Sequence, residues 1–319
     1  TDGGVTAPGW RGAVRTMAAK QLPEWNKSVL DRWVKRAFER ADSSRQVVAH
    51  SGVVPHLPQL DGTDSHLWFG WRHGQAEDLA AFASRLPRMV RFVSEFGSDS
   101  PPLDAPFIDE QLAAYEWPSL DWDRIEKTRG YQRAVTEQSF APTDFDSFEE
   151  WRDALQYYQA HVLKVQIETL RRLKYRPTGG FCFSSLNDSA ATISSSILDH
   201  QRQPKAAYAA VAAACATVLV TADPLPAEAA PDDRIDLDVH VISDLRDPID
   251  FAVVDAVATW SGGHRRWRFG GPVPADEVVK VGHVRLEVPN AHGPLTLDLQ
   301  LTAGDVTSHN HYTTDIKHP

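Results

Sequence analysis

The feature that most constrains the fold of this chain is a change in hydrophobic periodicity near residue 217. Beyond that point apolar residues alternate with polar ones, in runs that cover residues 235–241, 284–288 and 295–301. A period of two is the pattern of a strand with one buried face, and turn residues separate the runs. We therefore expect residues 217–319 to form an antiparallel β-sandwich.

The first 216 residues have a different pattern, in which short apolar runs alternate with helical segments. Such alternation favours parallel β/α units. Helices are predicted over residues 26–41, 77–85, 147–175 and 204–216, and strands over residues 46–51, 65–69, 89–94 and 180–186. With 319 residues and about 100–200 residues per domain, the chain is expected to hold two domains, 1–216 and 217–319.

Composition argues against several classes of partner. The net charge is −10 and no run of Lys or Arg stands out, whereas proteins that bind nucleic acid usually carry a basic face. No apolar stretch approaches the ~20 residues that span a bilayer, so no membrane partner is expected. No secretory signal pattern opens the sequence, which leaves the compartment open and slightly favours the cytoplasm. Ten Trp residues favour a carbohydrate ligand, because the flat apolar face of an indole can stack on a sugar ring.

The sharpest local feature is the segment R-F-V-S-E-F-G at residues 91–97, where a carboxylate ends a predicted strand and a Gly permits a turn. In β/α barrels the catalytic residues collect at the carboxyl ends of the strands. Burial and neighbouring charges can make a Glu at such a position a nucleophile or an acid. Glu95 is therefore a candidate catalytic residue. The alternative is that it caps a loop or pairs with an Arg.

A second cluster lies on the preceding predicted strand, where His66 and Trp68 alternate with Ser65 and Leu67. His66 and Trp68 therefore share one side of the strand, and Trp71 follows closely. A His and a Trp at a barrel mouth suit hydroxyl hydrogen bonding and sugar stacking, and a His satisfied within the core is the alternative. No metal-ligand spacing, phosphate-binding Gly loop or nucleophile elbow occurs, so neither a metal site nor a cofactor is expected.

Several segments, in the same order along the chain, resemble glycoside hydrolase family 2 and most closely its β-mannosidase branch. S-E-F-G-S-D-S-P at residues 94–101 resembles the nucleophile segment, and D-S-H-L-W at 64–68 resembles the D-x-H-x-W segment of the barrel strand before it. Q-I-E-T-L-R-R at 166–172 is similar to the helix before the last strand. Residues 185–208 resemble the last strand with the closing helix, and N-H-Y-T-T-D-I at 310–316 resembles the end of the C-terminal domain.

The resemblance implies an α/β plus all-β chain, namely the second half of a (β/α)8 TIM barrel followed by an Ig-like antiparallel β-sandwich. It implies a retaining mechanism, in which Glu95 attacks the anomeric carbon and a second carboxyl group about 5–5.5 Å away acts as acid and base. The family's acid/base is the Glu of an Asn-Glu pair that ends the fourth barrel strand, and this chain contains no such pair. The acid/base is thus expected from a missing N-terminal portion or from a second polypeptide that completes the barrel.

One departure from the family concerns the sugar site. The family's last strand usually carries Trp-Gln-Leu-Asn-Asp, with the Trp as the floor of the site, whereas residues 184–188 here are Ser-Ser-Leu-Asn-Asp. Asn187 and Asp188 remain candidates for binding sugar hydroxyls. The resemblance implies a retaining exo-β-glycosidase for terminal β-linked sugars, with β-mannosidase as the best single assignment. The alternatives are another specificity of the family, β-galactosidase or β-glucosaminidase, and a non-catalytic carbohydrate-binding relative.

Overall fold

The computed structural model describes residue 25 and residues 29–48, 51–52 and 64–317. The chain divides into two compact units, Thr1–Thr63 and Asp64–Pro319. In the first unit, helix α1 spans Asp31–Ala41, within the helix predicted over residues 26–41. Its apolar side chains Trp33, Val34 and Phe38 are exposed.

The strand predicted over residues 46–51 is not formed at residues 46–48, which have no regular structure, while residues 49–50 lie outside the described part of the chain. Val48 is exposed. A β-branched run becomes a strand only where a neighbouring strand and a packed face support it, and the described part of this unit supplies neither to residues 46–48.

The second unit begins with a parallel sheet. Strands β1 (Ser65–His66), β2 (Phe92–Glu95) and β3 (Gly180–Phe181) form it in the order β1-β2-β3. All three are shorter than predicted, although Leu67 and Cys182 still donate backbone hydrogen bonds to the central strand. The run at 89–94 was predicted as a strand throughout, but Pro87–Val90 forms a 3-10 helix, because the fixed φ of Pro87 suits the first turn of a helix.

Helices accompany these strands in the second unit. They are α2 (Asp78–Arg85), α3 (Pro106–Leu112), α4 (Trp122–Arg129), α5 (Arg133–Thr136), α6 (Phe148–Arg172) and α7 (Ala206–Ala214). Ser147 caps α6 as predicted, since its hydroxyl accepts a hydrogen bond from the Glu150 amide. The buried side chains of Leu163, Ile167 and Leu170 pack this helix against the parallel sheet.

The stretch 97–146 lacks visible periodicity because its helices are too short to display one. It contains α3, α4 and α5 and a dense group of aromatic rings around Trp151 of α6. Trp122 lies 5.5 Å and Tyr131 5.9 Å from the Trp151 ring, centroid to centroid. Edge-to-face contacts of this kind stabilise a core, so the segment is a packed part of the second unit.

The rest of the second unit is built from antiparallel strands. They are β4 (Val218–Ala222), β5 (Glu228–Ala229), β6 (Arg234–Ser243), β7 (Ile249–Trp260), β8 (Gly263–Val273), β9 (Val278–Glu287), β10 (Gly293–Ala303) and β11 (Val306–Ile316). They form a five-stranded sheet, β5-β11-β10-β7-β8, and a three-stranded sheet, β4-β6-β9. Only the short β5 runs parallel to its neighbour, β11.

The apolar residues of the period-two runs form one core between these two sheets. Ile235, Leu237, Val239 and Val241 are all buried, as the alternation predicts. The same holds for the alternate residues of the run at 295–301. Two packed sheets therefore make this part of the chain β-rich, as the period-two runs predict.

A buried polar network joins α6 to the two sheets. The carboxylate of Glu168 accepts hydrogen bonds from Asn310, Thr221 and Tyr312, at 2.8, 3.2 and 2.8 Å, and Lys164 lies 2.9 Å from it. Burial, first of all, raises the pKa of Tyr312 well above its ordinary value, with the neighbouring Glu168 charge acting in the same direction. Tyr312 therefore stays protonated and donates to the carboxylate.

Among the helices in the described residues, none is long and apolar enough to cross a membrane.

Candidate active site

Glu95 is the last residue of β2, where the central strand of the parallel sheet ends. Val93 faces the core and is fully buried, whereas the side chain of Glu95 is 42% exposed. Gly97 then takes φ +140°, and a Cβ there would lie 3.2 Å from the backbone oxygen of Ser184. Only a Gly fits this turn easily, so the local sequence itself sets the exit of the chain beyond Glu95.

His66 is the register partner of Glu95 across the parallel pair β1–β2. Its Nδ1 atom lies 3.3 Å from Oε2 of Glu95, and its Nε2 atom lies 3.7 Å from Oδ2 of Asp64. The hydroxyl of Ser94 donates a hydrogen bond to the same Asp64 oxygen. The structure thus brings together two predicted site residues, His66 and Glu95, with two polar groups, Asp64 and Ser94, whose role the sequence did not indicate.

Trp68 follows His66 on the same side of the chain. Both are half-buried, whereas the intervening Leu67 is buried. The guanidinium of Arg72 lies 4.9 Å from the centre of the Trp68 ring, a cation–π distance that restrains both side chains. Trp71 differs from Trp68, because it is buried in the aromatic cluster.

Asn187 and Asp188 lie in different surroundings from each other. Asn187 is exposed and its amide donates to the Asp188 backbone oxygen at 3.2 Å. The Asp188 carboxylate accepts hydrogen bonds from the hydroxyls of Ser194 and Ser196, at 2.8 and 2.9 Å, and lies 3.9 Å from Nζ of Lys205. These contacts occupy the Asp188 carboxylate within the protein, whereas Asn187 keeps an exposed amide.

The backbone just beyond Glu95 is held from below by buried polar side chains. Gln159 of α6 donates to the Ser98 oxygen at 2.8 Å and accepts from the Ser100 hydroxyl at 2.8 Å. Lys205, fully buried, donates to the Ser100 oxygen at 2.8 Å. Neither residue belongs to a motif that the sequence singled out for chemistry. The sequence signals are a Gln within a long predicted helix and a Lys at the start of an Ala-rich one.

Two buried titratable groups, Asp99 and Lys205, lie beneath the segment that follows Glu95. Burial raises the pKa of Asp99 to about 7, against the opposing effect of the Lys205 and Arg72 charges. Burial lowers the pKa of Lys205 to about 8, opposed by Asp188 and Asp99. Asp99 accepts a hydrogen bond from Gln132 at 2.7 Å, and Gln132 in turn accepts one from Arg72 at 3.4 Å. A polar chain thus connects the segment after Glu95 with the Arg72 guanidinium over Trp68.

No group of three or more His, Cys, Asp or Glu side chains with the spacing of a metal site occurs in the described ranges.

The chain is similar in fold to solved glycosidases. A β-D-mannosidase from Dictyoglomus thermophilum matches with a TM-score of 0.63 and 21% identity, over 81% of this chain and 31% of that protein. An exo-chitosanase from Amycolatopsis orientalis matches with a TM-score of 0.60 and 14% identity, over 88% of this chain and 34% of that protein. A second solved structure of this enzyme, described as an exo-β-D-glucosaminidase, matches with a TM-score of 0.52 and 14% identity, over 70% of this chain and 27% of that protein.

The chain therefore spans about a third of the length of these solved glycosidases. At identities of 21% and 14% the likeness concerns the fold alone. No model of a known protein family matches the chain, and no curated protein matches it.

Proposed function

We propose that this chain is part of a retaining exo-β-glycosidase, with Glu95 as the nucleophile and a terminal β-mannoside as the substrate. The observation that carries the proposal is the place of Glu95. Its carboxylate ends the central parallel strand, is 42% exposed, and faces His66 at 3.3 Å. The fold around it is shared with a β-mannosidase and an exo-chitosanase, which gives the assignment to the glycosidases independent support.

In this reaction the Glu95 carboxylate attacks the anomeric carbon of the sugar and forms a glycosyl ester, while the bond to the leaving oxygen breaks. A second carboxyl group protonates that oxygen and afterwards takes a proton from the water that cleaves the ester. A partly exposed Glu95 side chain suits the first step, because the nucleophile must reach the sugar. The His66 ring lies beside one carboxylate oxygen and leaves the other available for attack.

The sugar lies, in this proposal, against Trp68, with His66 and Asn187 offering hydrogen bonds to its hydroxyls. Trp68 is the better stacking surface of the two predicted Trp residues, because it is half-buried while Trp71 is packed in the core. Trp71 then supports the site from behind. Asp188 supports it as well, through the loop that Ser194 and Ser196 hold.

The acid/base group is proposed to come from an N-terminal portion or a second polypeptide. Within the described residues β1 and β3 are the edge strands of the three-stranded parallel sheet, whereas a β/α barrel has no edges. We infer that residues 1–216 supply the second half of such a barrel and that further strands pair with β1 and β3. Residues 217–319 would then be the Ig-like domain that follows it.

The second candidate specificity is a β-glucosaminide. It is favoured by the likeness to an exo-chitosanase, and by the Ser at position 184, where the mannosidase resemblance calls for a Trp. A site without that indole loses a stacking surface under the sugar ring. A glucosaminide held mainly by polar contacts would depend less on such a surface.

The test is intact-mass spectrometry of the purified chain, with any polypeptide that copurifies, before and after an activated 2-deoxy-2-fluoro-β-mannosyl reagent. The fluorine slows hydrolysis of the glycosyl ester, and an activated leaving group reduces the need for an acid. We expect a mass increase of one fluorosugar, located on the peptide that contains Glu95. The spectrum before reaction also shows whether a second polypeptide is present.

The Glu95→Gln variant is the control, because the amide has nearly the same shape but is a very weak nucleophile. It should remain unlabelled while the fold, read by circular dichroism, is unchanged. If a fluoroglucosyl reagent labels the chain and the fluoromannosyl one does not, the proposed specificity for mannosides is wrong. If the chain binds sugar but no mannosyl, glucosyl or galactosyl reagent labels it, the proposed glycosidase activity is wrong. The chain would then be a non-catalytic carbohydrate-binding protein.

A further inference from the structure

A cavity of about 270 Å³ lies next to the candidate active site. The loop after β1, residues 70–75, forms one wall, and residues between 135 and 140 form another. No Asp or Glu lines it in the part of the chain that the structure describes. The carboxylates of Glu77 and Asp78 follow the loop but already have partners, an imidazole at 2.9 Å and a backbone amide at 2.7 Å. Ligand pockets usually begin at about 300 Å³, so this cavity suits one small unit.

The cavity and the candidate site have residues in common. Tyr158 of α6 lines the cavity, and the next residue, Gln159, donates to the Ser98 oxygen in the segment after β2. Arg72 belongs to both places, since it lines the cavity while its guanidinium lies 4.9 Å from the centre of the Trp68 ring. The cavity therefore adjoins the Trp68 side of the proposed sugar site.

Arg72 brings the one full charge to the cavity wall. Its contacts in the described residues are the Trp68 ring and the Gln132 amide oxygen, at 3.4 Å, and neither is an ion pair. Burial lowers the pKa of His73, the other basic residue of the wall, and the Arg72 charge acts in the same direction, so this imidazole is neutral near pH 7. A guanidinium that is oriented in this way but has no carboxylate partner is suited to bind an anion.

A second observation concerns the indole of Trp71, which also lines the cavity. The residue is 8% exposed, and its buried N–H has no hydrogen-bond acceptor. Native structures rarely leave a buried donor in this state. An indole N–H and a guanidinium both donate and never accept, so a ligand that satisfies Trp71 and Arg72 must supply acceptor oxygens.

We propose that this cavity binds a carboxylate-bearing sugar unit, and that the substrates of the proposed glycosidase are β-mannosides whose leaving part carries such a unit. The statement about substrates rests on the proposed function. A carboxylate supplies acceptor oxygens to Trp71 and Arg72, and its two oxygens match the fork of a guanidinium. One positive charge at the wall matches one negative charge, which favours a carboxylate over a phosphate group with its charge of nearly −2.

The leaving part is the portion of the substrate that can reach the cavity. An exo-acting enzyme holds the terminal sugar at the nucleophile, so the rest of the substrate extends away from Glu95. An indole has two faces, and Arg72 on one face of Trp68 leaves the other face for the terminal sugar. The next unit then passes beside Arg72 into the cavity.

The first measurement is a titration of the purified chain, with any polypeptide that copurifies, with glucuronate at constant ionic strength. The ¹H–¹⁵N NMR signals of the indoles report it, and the Trp71 signal is assigned by its loss in Trp71→Phe. We expect that signal to shift saturably with glucuronate, because the indole N–H gains an acceptor, and not to shift with glucose. In Arg72→Gln the dissociation constant should rise at least about 10-fold, since hydrogen bonds to charged groups are the stronger ones.

Arg265→Gln is the matched control, because the Arg265 guanidinium makes a comparable contact with the Trp267 ring, at 5.2 Å, in the antiparallel sheet. It should leave glucuronate binding unchanged. Arg72→Lys keeps the charge but loses the fork, so an intermediate affinity is expected. If Trp71→Phe does not fold, calorimetric titration of the wild type and of Arg72→Gln gives the same comparison.

Two results of this titration would overturn the proposed binding site. One is the absence of saturable glucuronate binding, and the other is an equal affinity of the wild type and of folded Arg72→Gln. Inorganic phosphate that binds more tightly than glucuronate would overturn the assignment to a carboxylate.

The second measurement compares covalent labelling by two activated fluoromannosyl reagents. The leaving group carries a carboxylate in one reagent and a carboxamide at the same position in the other. We expect the carboxylate reagent to reach half-saturation at a concentration about 10-fold lower, and Arg72→Gln to remove this difference. Arg265→Gln should keep it. Equal half-saturating concentrations in the wild type would overturn the proposed substrate class.

A wild-type chain that took up no label from any mannosyl, glucosyl or galactosyl reagent would instead reject the proposed function. The glucuronate titration does not depend on labelling and would still show whether the cavity binds a carboxylate, so the two failures are distinguishable.

Discussion

Single residues beneath the site determine how the segment after Glu95 responds to pH. Asp99 and Lys205 are buried in the same support, and burial moves the pKa of Asp99 up to about 7 and that of Lys205 down to about 8. Both shifts bring the groups closer to their neutral forms, as the cost of burying a charge requires. Hydrogen bonds from Gln132 to Asp99 and from Lys205 to Ser100 keep the two groups in place.

Replacing Asp99 with Asn should flatten the pH dependence of stability between about pH 4 and pH 7. The pKa of Asp99 is about 7 in the folded chain, against 3.8 ordinarily, so in this window the folded state binds more protons than the unfolded state. The free energy of unfolding of the wild type then falls as pH rises, by up to about 1.4 kcal/mol per pH unit from this group. Asp99→Asn removes that slope. Urea unfolding at about pH 5, 6 and 7 measures it.

Asp305→Asn is the control for this comparison, because Asp305 is exposed in the turn between β10 and β11. It should keep the wild-type slope. Parallel slopes for wild type and Asp99→Asn would show that Asp99 does not titrate in this window. Lys205 has little influence there, because its own pKa, about 8 folded and 10.5 ordinarily, makes stability rise with pH only above about 8.

At the scale of whole elements, α6 has two functions in the second unit. Its Gln159 supports the backbone beyond Glu95, and its Glu168, nine residues further along, joins β4 and β11. The helix is 25 residues long and has polar side chains on its buried face because these side chains meet backbone groups and a carboxylate network. The paired polar groups around Glu168 fix one arrangement of the elements that they join.

Tyr312→Phe should destabilise this junction by about 1–3 kcal/mol. The phenol hydroxyl donates to Glu168 and accepts from the Ala222 amide at 3.1 Å, so its loss leaves both without this buried partner. Urea unfolding at neutral pH measures the change. Tyr157→Phe removes a hydroxyl from the exposed face of the same helix and should cost much less. Equal costs for the two variants would mean that the network does not stabilise the junction.

The second unit as a whole contains several apolar clusters, among them one between the antiparallel sheets and one around the parallel sheet. Leu299 is fully buried in the first of these, on β10. The network of Glu168 connects the two regions, so we expect the second unit to unfold cooperatively.

Leu299→Ala should lower the free energy of unfolding by about 2–5 kcal/mol, because it leaves a cavity between the sheets. If the second unit is cooperative, hydrogen exchange by global opening should also accelerate in peptides of α6, which lies outside that core. Leu186→Ala, at a side chain that is 56% exposed, should change stability by less than about 0.5 kcal/mol. Acceleration confined to the antiparallel strands would show that the two regions unfold separately.

Sequence periodicity predicted the long elements well, because each has enough residues to display a period. The helix from Ser147 and the alternating strands β6 and β10 lie within two or three residues of their predicted bounds. Periodicity did not predict the bounds of the short segments. Residues 46–48 are irregular, and β1 and β3 have two residues each, since a strand that short is defined by its neighbours.

The site was predictable in part. Glu95 was indicated by its place at the end of a predicted strand, and the alternation around Leu67 already put His66 and Trp68 on one side of the chain. By itself, then, the sequence determined the periodic elements, the two-sheet core and the position of a carboxylate before a Gly turn. These properties depend on local spacing.

Only the tertiary structure placed Asp64 behind His66, brought Gln159 and Lys205 under the segment after Glu95, and buried Trp71 while leaving Trp68 half-buried. Lys205 and Ser100 are 105 positions apart, and Gln159 and Ser98 are 61 apart. Contacts at such separations arise from the packing of elements against one another. The identities of these residues alone do not reveal which distant atoms they will meet.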